Sequence, residues 1–157
     1  EIKLSLFFKE ESEYYKNRSQ KNSIDFTIFL EDDFSISINR GKIVQIIDNL
    51  ISNSEYWLIK LKGNDPNCKP SITIKIESPW IYFYDNGYGI SPAIENMLFE
   101  PFVTTKPKGE GRGLGLFIIQ QLLDSSKCTI ALEPFRNEHG RKYIFAINFS
   151  NIINEYK

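Results

Sequence analysis

The feature that most constrains the fold of this chain is a long amphipathic segment between Lys42 and Lys62. Apolar residues recur in it at helical spacing, which predicts one continuous helix with a single apolar face. This face consists of Ile43, Ile46, Ile47, Leu50, Trp57, Leu58 and Leu61. A helix of this kind must bury its apolar face against another layer of secondary structure.

Alternating β-branched and aromatic residues predict the strands of that second layer. The predicted strands span residues 24–30, 34–38, 71–77, 80–84, 128–135 and 143–149, the last two as a hairpin. Further helices are predicted roughly over residues 2–22 and 114–124. Helices and strands mix without regular βαβ alternation, so the expected fold class is α/β, with helices covering one face of a mixed β-sheet.

Size and composition are those of one ordinary globular domain over residues 1–157. The formal net charge of −1 gives no basis for a general grip on nucleic acid or on acidic membranes. No apolar stretch approaches the roughly 20 residues of a membrane helix. Cys68 and Cys128 form no CxxC pair, which favours free thiols in a reducing, cytoplasmic compartment. Because the chain begins with Glu1, we expect a domain excised from a longer protein, which can itself be membrane-anchored.

A polar stripe borders the apolar face of the long helix. Asn49, Asn53, Tyr56 and Lys60 fall on it, a position from which a helix can line a cleft. The amide oxygen of Asn53 suits a Mg²⁺ ion that keeps most of its waters and phosphate oxygens. Trp57 borders the stripe and can lie against a purine. Considered alone, such a stripe is more often an ordinary solvated helix face.

The sequence DNGYGI at residues 85–90 follows a predicted strand. Asn-Gly is a strong signal for a hairpin turn, but residues 91–95 offer no returning strand. The alternative is a ligand site, in which Gly87 and Gly89 allow the backbone to approach the ligand closely. The carboxylate of Asp85 can then accept a hydrogen bond from an exocyclic amine such as that of adenine.

A second glycine-rich sequence, GEGRGLGL at residues 109–116, runs into an apolar helix. Its exposed backbone N–H groups, together with a helix N-terminus, suit phosphate groups. It is no Walker loop, because no GK[ST] follows, and it lacks the third glycine of the dinucleotide fingerprint. A flexible linker is the alternative, but Leu114, Leu116 and Phe117 argue against a solvated one.

Residues 98–106 lie between these two glycine-rich sequences and contain Phe99 and Phe102. Aromatic side chains of this kind are unusual in a plain loop. One interpretation is a mobile segment that packs its aromatic residues only when it closes. The other is a static loop that these side chains anchor in the core.

In their order and spacing, these segments resemble the nucleotide-binding superfamily of DNA gyrase, MutL and sensor histidine kinases, and the kinase branch most closely. The N box resembles residues 49–54 (NLISNS), the first glycine box residues 85–90, the F box residues 99–106 (FEPFVTTK), and the second glycine box residues 111–116 (GRGLGL). The resemblance covers roughly residues 2–150. It implies a Bergerat-type two-layer α/β sandwich with an ATP lid at about residues 99–113.

The same resemblance implies ATP and Mg²⁺ as ligands. Asn53 is expected to ligate Mg²⁺, and Asp85 to bind the amino group of adenine. The other expected nucleotide contacts are Trp57, Lys60, Gly87, Gly89, Ile90, Thr105, Gly111, Arg112, Gly113, Leu114, Gly115 and Leu116. The cation that contacts the phosphates stays open among Lys60, Lys106 and Arg112.

Asn49 and Lys106 are the expected catalytic residues. Asn49 stands where gyrase-like ATPases carry the glutamate that activates water, and an amide cannot act as that base. This favours transfer over hydrolysis. The resemblance therefore implies the catalytic domain of a two-component sensor histidine kinase, with a dimerisation domain as the partner that carries the acceptor histidine and a response regulator as an indirect partner.

Two other functions stay open at this point. One is a non-kinase ATPase or ATP-driven conformational switch of the same superfamily. The other is an interaction domain that has lost nucleotide binding, against which Asp85, Asn53 and the glycines argue. His139 is the only histidine and lies in a predicted turn, so this chain alone is not expected to autophosphorylate.

Overall fold

The computed structural model describes residues 1–154. Its α-helices are α1 (Leu4–Lys21), α2 (Arg40–Asn64) and α3 (Gly115–Asp124). Its strands are β1 (Ile2–Lys3), β2 (Asp25–Asp32), β3 (Ser35–Ile36), β4 (Ser71–Glu77), β5 (Trp80–Asp85), β6 (Thr129–Leu132) and β7 (Ile144–Asn148). Short 3₁₀ helices span Pro92–Met97 and Ser150–Ile152.

The main sheet has five strands in the order β2-β4-β5-β7-β6. Strands β2 and β4 are parallel, with Asp25 opposite Ser71, and α2 lies in the crossover between them. All other neighbours in this sheet are antiparallel, and the predicted closing hairpin is confirmed as β6 and β7. The sheet is therefore mixed, as predicted.

One face of the sheet is buried beneath the helices. Along β4 burial alternates, so that Ile72, Ile74 and Ile76 are buried while the residues between them are half exposed. The buried face of α2 packs into the same core through Ile43, Ile46, Ile47, Leu50, Ile51, Ser54 and Leu58. This arrangement confirms the predicted α/β class with helices on one face.

The N-terminal part of the chain differs from the prediction. The first helix begins at Leu4 because Ile2 and Lys3 form β1, which pairs with β3 outside the main sheet. The strand predicted over residues 34–38 is reduced to Ser35–Ile36 for the same reason. A two-residue strand such as β1 leaves no alternation in the sequence, so only its pairing with β3 reveals it.

The start of α2 is fixed by a side-chain cap. The Oδ1 atom of Asn39 accepts a hydrogen bond from the N–H group of Gly41 at 2.8 Å, so the helix begins at Arg40 rather than at the predicted Lys42. The helix then holds Asn49 and Asn53 half-buried at the border of the core. The predicted polar stripe consequently lies beside the glycine-rich loops.

Two smaller expectations concern the thiols and the membrane. Cys68 and Cys128 are both free in the structure, as predicted. Within residues 1–154, no helix has the length and apolar character that crossing a membrane requires.

Candidate nucleotide-binding site

Two adjoining cavities lie between α2 and the loops that join β5 to α3. The first, here called the Asp85 cavity, has a volume of about 150 Å³. The second, the Gly115 cavity, has a volume of about 230 Å³. Asn53, Thr104 and Lys106 line both, so the two cavities meet at these side chains and form one cleft.

Asp85 is the chemical centre of the first cavity. It ends β5, a central strand of the sheet, and its Oδ2 atom accepts a hydrogen bond from the Ser54 hydroxyl at 2.5 Å. Its Oδ1 atom accepts one from the N–H group of Gly87 at 2.9 Å. Burial raises the pKa of Asp85, and the hydrogen bonds from Ser54 and Gly87 oppose that rise. The result is a carboxyl group held in one orientation, with lone pairs left for a ligand N–H group.

The turn after Asp85 requires glycine at position 89 and leaves little room for a side chain at position 87. A Cβ atom on Gly87 would lie 3.0 Å from Oδ1 of Asp85 and 3.3 Å from a methyl carbon of Leu58. Gly89 has a φ of +88°, and a Cβ atom there would lie 2.8 Å from the side chains of both Arg141 and Asn137. The close approach predicted for these glycines therefore exists, toward α2 in one case and toward the β6–β7 connection in the other.

The β6–β7 connection forms the far wall of the Asp85 cavity. The side-chain amide of Asn137 donates to the carbonyl oxygens of Tyr88 at 3.0 Å and of Gly87 at 3.5 Å. Its oxygen accepts hydrogen bonds from the backbone N–H groups of His139 and Arg141. Asn137 thus ties this connection to the turn that shapes the cavity.

The Gly115 cavity faces the start of α3. The first backbone N–H groups of any helix lack an intrahelical acceptor, and at the start of α3 no side chain at the cap position Leu114 supplies one. Gly115 has open space where a Cβ would lie, whereas Gly113, with φ of +68°, packs against the backbone of Phe102 and Val103. Asn49 donates from Nδ2 to the carbonyl oxygen of Gly115 at 3.4 Å, which joins α2 to α3. This end can accept an anionic group.

Among the described residues that line the Gly115 cavity, none is acidic and none is histidine. The lining residues are Asn49, Ser52, Asn53, Val103, Thr104, Lys106, Gly111, Arg112, Gly113, Leu114, Gly115 and Leu116. The charged side chains in this lining are the two cations Lys106 and Arg112. Partial burial lowers the pKa of Lys106.

The predicted lid is held against α2 by contacts at the surface. Glu110 accepts a hydrogen bond from the Tyr56 hydroxyl and forms an ion pair with Lys60 at 3.3 Å. The ammonium group of Lys106 lies 4.4 Å from the centre of the Tyr56 ring. These groups connect the lid to the exposed side of α2 rather than to the core.

The two phenylalanines of the lid behave differently. Phe99 packs edge-on against Phe145 at 6.3 Å and belongs to the periphery of the core. Phe102 is 74% exposed and has a φ of +67°. Its N–H group donates to the carbonyl oxygen of Gly113 at 2.9 Å. Phe99 therefore fits the interpretation of a static loop anchored in the core, and the exposed Phe102 fits that of a mobile segment that packs only when it closes.

Most of the predicted site residues line the cleft. The Asp85 cavity contains Asn53, Trp57, Asp85, Gly87, Gly89, Ile90, Thr105, Lys106 and Leu116. The Gly115 cavity contains Asn49, Arg112 and the remaining predicted glycines and leucines. Lys60 lines neither cavity and is paired with Glu110 instead. His139 is exposed on the β6–β7 connection, with its ring 5.2 Å from that of Tyr88.

Sequence reasoning missed Ser54, Asn137, Arg141 and Tyr143. Ser54 is a buried hydroxyl within the apolar face of α2, and such an interruption is the one signal that the sequence offers for it. Arg141 and Tyr143 line the Asp85 cavity from a distant part of the chain. Their positions depend on the pairing of β5 with β7, which no local pattern reveals.

The donor set fits a metal only in combination with a ligand. In the part of the chain that the structure describes, no group of three or more His, Cys, Asp or Glu side chains can hold a metal ion. Asn53 supplies an amide oxygen at the junction of the two cavities, where the Thr104 hydroxyl also lies. One amide oxygen with phosphate oxygens and waters is a donor set of the kind that Mg²⁺ uses.

The sequence profile of the histidine kinase-, DNA gyrase B- and HSP90-like ATPases matches residues 38–151. The chain belongs to this family, and it is an ATP-binding domain of the kind that sensor histidine kinases carry. The matched range includes the whole cleft, from α2 to β7. The resemblance drawn from the four sequence motifs is thereby confirmed.

Relatives and solved structures agree with this assignment. The two-component sensor PprA of Pseudomonas aeruginosa is 34% identical over 88 residues, which cover 52% of this chain and 9% of PprA. The sensor protein ChvG of Rhizobium meliloti is 29% identical over 130 residues, which cover 75% of this chain and 21% of ChvG. The chain thus corresponds to a small part of these relatives.

Two solved structures show the same fold. A mycobacterial sensor histidine kinase, MprB, aligns with a TM-score of 0.74 at 15% identity and covers 99% of this chain and 97% of its own. The catalytic domain of the histidine kinase ThkA aligns with a TM-score of 0.70 at 24% identity and covers 96% and 95%. The predicted two-layer sandwich is the fold of these kinase domains.

Proposed function

We propose that this domain binds Mg·ATP in the cleft and presents the γ-phosphate to a histidine on a separate dimerisation domain. The purine ring would enter the Asp85 cavity, and its amino group would donate a hydrogen bond to Asp85. Trp57 would lie against the ring at the cavity wall. The phosphates would lie in the Gly115 cavity, against the free N–H groups at the start of α3. Asn53 lines both cavities, so in this arrangement it would lie between the base and the phosphates.

Mg²⁺ would be held by the oxygen of Asn53 together with the phosphate oxygens of the nucleotide. When bound, the ion would neutralise charge on the phosphates. Lys106 and Arg112 are the cations that line the Gly115 cavity, and they would add to this neutralisation. Lys60 would contribute only after release from Glu110.

The observation that carries the proposal is the absence of a carboxylate or imidazole among the described residues lining the Gly115 cavity. Hydrolysis of ATP requires a group that takes a proton from the attacking water, and Asn49 cannot do so. Phosphoryl transfer to an incoming histidine needs mainly positioning and charge stabilisation. The cavity therefore suits transfer better than hydrolysis.

The acceptor must come from outside this chain. His139 is exposed on the β6–β7 connection and does not line the Gly115 cavity. A histidine of the parent kinase would receive the phosphoryl group and pass it to a response regulator. The reaction would take place in the cytoplasm, where ATP is available.

The test combines this domain with the dimerisation region of its parent protein and ATP labelled in the γ-phosphate. We expect label on the dimerisation region and none on this domain, with little release of free phosphate. His139→Ala is the matched control and should change neither the transfer nor the ATP affinity. Steady release of phosphate without labelling would instead support the ATPase or switch interpretation.

A further inference from the structure

Strand β2 leaves one backbone edge of the main sheet unpaired. It is the terminal strand of the sheet and pairs only with β4 among the described strands. The N–H group of Asp25 donates to Pro70 on the β4 side. Because the direction of the amides alternates along a strand, the N–H groups of Phe26, Ile28 and Leu30 point to the free edge. An edge strand of eight residues with free amides can accept another strand.

A groove of about 450 Å³ runs beside this edge, between β2 and α1. Its apolar floor includes Phe8, Phe26, Ile28 and Ile76. Leu30, which also lines it, is 50% exposed. Edge strands are usually protected by proline, by a bulge or by a covering element. In β2 the pairing with β4 shifts in register only between Leu30 and Asp32, at the end of the strand, so the stretch from Phe26 to Leu30 keeps a regular edge. Here an open apolar groove lies next to the free amides instead.

The polar lining of the groove carries positive charge only. Lys9 and Lys16 extend from α1, with the hydroxyl groups of Ser5 and Ser12 on the same side of the helix. Within residues 1–154, no carboxylate lies within ion-pair distance of either lysine. The two lysines are seven positions apart, which is about 10 Å along a helix. Acidic groups about four residues apart on one face of a strand, about 13 Å, have a similar spacing.

A second copy of this chain fits the edge poorly. Strand β2 carries Asp25 at its start and Glu31 and Asp32 at its end. If two β2 strands paired antiparallel, the carboxylates at one end would lie opposite those at the other. Like charges placed directly opposite destabilise a strand pair.

We propose that the edge of β2 and the adjoining groove are a docking site for an extended, mainly uncharged segment of a partner protein that carries two acidic residues on one face and adds a sixth strand to the main sheet. The backbone of this segment would bond to the free amides of Phe26, Ile28 and Leu30. Its side chains that face the groove would be apolar, except for two acidic residues placed opposite Lys9 and Lys16. Such strand addition draws affinity from backbone hydrogen bonds and specificity from the side chains on one face.

The test uses a fluorescent synthetic peptide of about nine residues that alternates valine and threonine. Two glutamates about four residues apart replace valines on one face. We expect the anisotropy of the peptide to rise on binding, and a peptide with lysine in place of glutamate not to bind. The double variant Lys9→Glu with Lys16→Glu should weaken binding about tenfold.

Lys127→Glu is the matched control, since it reverses an exposed charge next to β6 at the opposite edge of the sheet. It should leave peptide binding unchanged. Both variants should bind ATP as tightly as the unsubstituted domain does, which would show that they are folded. Hydrogen exchange should slow at the amides of Phe26, Ile28 and Leu30 only when the acidic peptide is present.

Four results would overturn the proposal. The first three are no binding of either peptide, equal binding of the two peptides, and no effect of the lysine reversals. The fourth is a concentration-dependent dimer that protects the β2 amides without peptide, which would assign the edge to a second copy. ATP binding through Asp85 is measured separately, so failure here leaves the proposed nucleotide site untouched.

Discussion

The two ends of the cleft are held in place by different kinds of contact. At the Asp85 end, a buried hydroxyl, two closely packed glycines and the Asn137 side chain fix the turn from several directions. At the lid end, the contacts are an exposed carboxylate with Tyr56 and Lys60, and a lysine over an aromatic ring. Buried contacts of the first kind persist without ligand, whereas exposed ion pairs contribute little.

This difference separates two tasks of nucleotide binding. In the proposed binding mode the base-recognition end is already built in the folded domain, so a change there should affect every adenine nucleotide equally. In the same binding mode the lid would complete the phosphate site, so a change there should affect ATP and ADP unequally. The predictions below test this separation, beginning with the largest expected effect.

The first prediction is that Asp85→Asn weakens ATP and ADP binding by the same factor. The loss of a charge-assisted hydrogen bond to the amino group should cost about 1–3 kcal/mol, or about fivefold to 150-fold in affinity. Titration calorimetry with both nucleotides measures it. Asp124→Asn, at the exposed end of α3, is the control and should change neither affinity. Equal affinity of the parent domain for GTP and ATP would contradict the assignment of Asp85 to adenine.

The second prediction concerns pH at the same end. Burial raises the pKa of Asp85, so its carboxyl group takes up a proton at a less acidic pH than the usual value of about 3.9. The ionised form accepts from adenine, so the affinity advantage over Asp85→Asn should be complete above the raised pKa and disappear as the pH falls through it. Calorimetry of both proteins across the acidic range gives this ratio, which cancels the titration of the nucleotide itself. A ratio that stays constant down to the usual value would refute the prediction.

The third prediction is that Asn137→Ala weakens both nucleotides by about fivefold, or about 1 kcal/mol. Asn137 does not line the cleft but holds the carbonyl groups of Gly87 and Tyr88, so its loss should loosen the turn. His139→Ala, in the same connection, is the control because the His139 side chain accepts none of these bonds. An effect on thermal stability alone, with both affinities intact, would show that Asn137 has no positioning role.

The elements that follow a clear local period were predictable from the sequence. The stripe of α2 and the alternation of β4 and β5 identified the two layers, because each burial pattern has the period of its secondary structure. The two-residue strand β1 has no period and was missed, and the strand predicted over residues 34–38 is shorter in the structure, as β3. The end of β5 also located Asp85, since a carboxylate followed by glycines at a strand end is a local signal.

The parts of the site that depend on distant contacts were not predictable. Ser54 reaches Asp85 across 31 positions of sequence, and Asn137 reaches Tyr88 across 49. Lys60 was expected at the nucleotide, but its pairing with Glu110 depends on where the lid lies. Such contacts follow from the order of strands in the sheet and from loop packing, neither of which a single sequence displays.

The last and smallest expected effect is at the lid. Glu110→Gln should raise the rate of proteolysis in the lid more in the nucleotide-free domain than in the nucleotide-bound domain. Glu110 bonds to Tyr56 and Lys60, and removing its charge should release residues 106–112, which have few buried contacts. Trypsin should then cut faster at Lys108 or Arg112 than in the unsubstituted domain, whereas Lys106 is protected by the proline that follows it. A non-hydrolysable ATP analogue should slow this cleavage in both proteins, and ADP should slow it less, because the γ-phosphate supplies an acceptor for the N–H groups at the start of α3.

Glu100→Gln, an exposed substitution at the other end of the lid, is the matched control and should be cut at the same rate as the unsubstituted domain. Cleavage at one rate in all three nucleotide states would mean that the lid is a static loop, and the contrast between the two ends of the cleft would then fail.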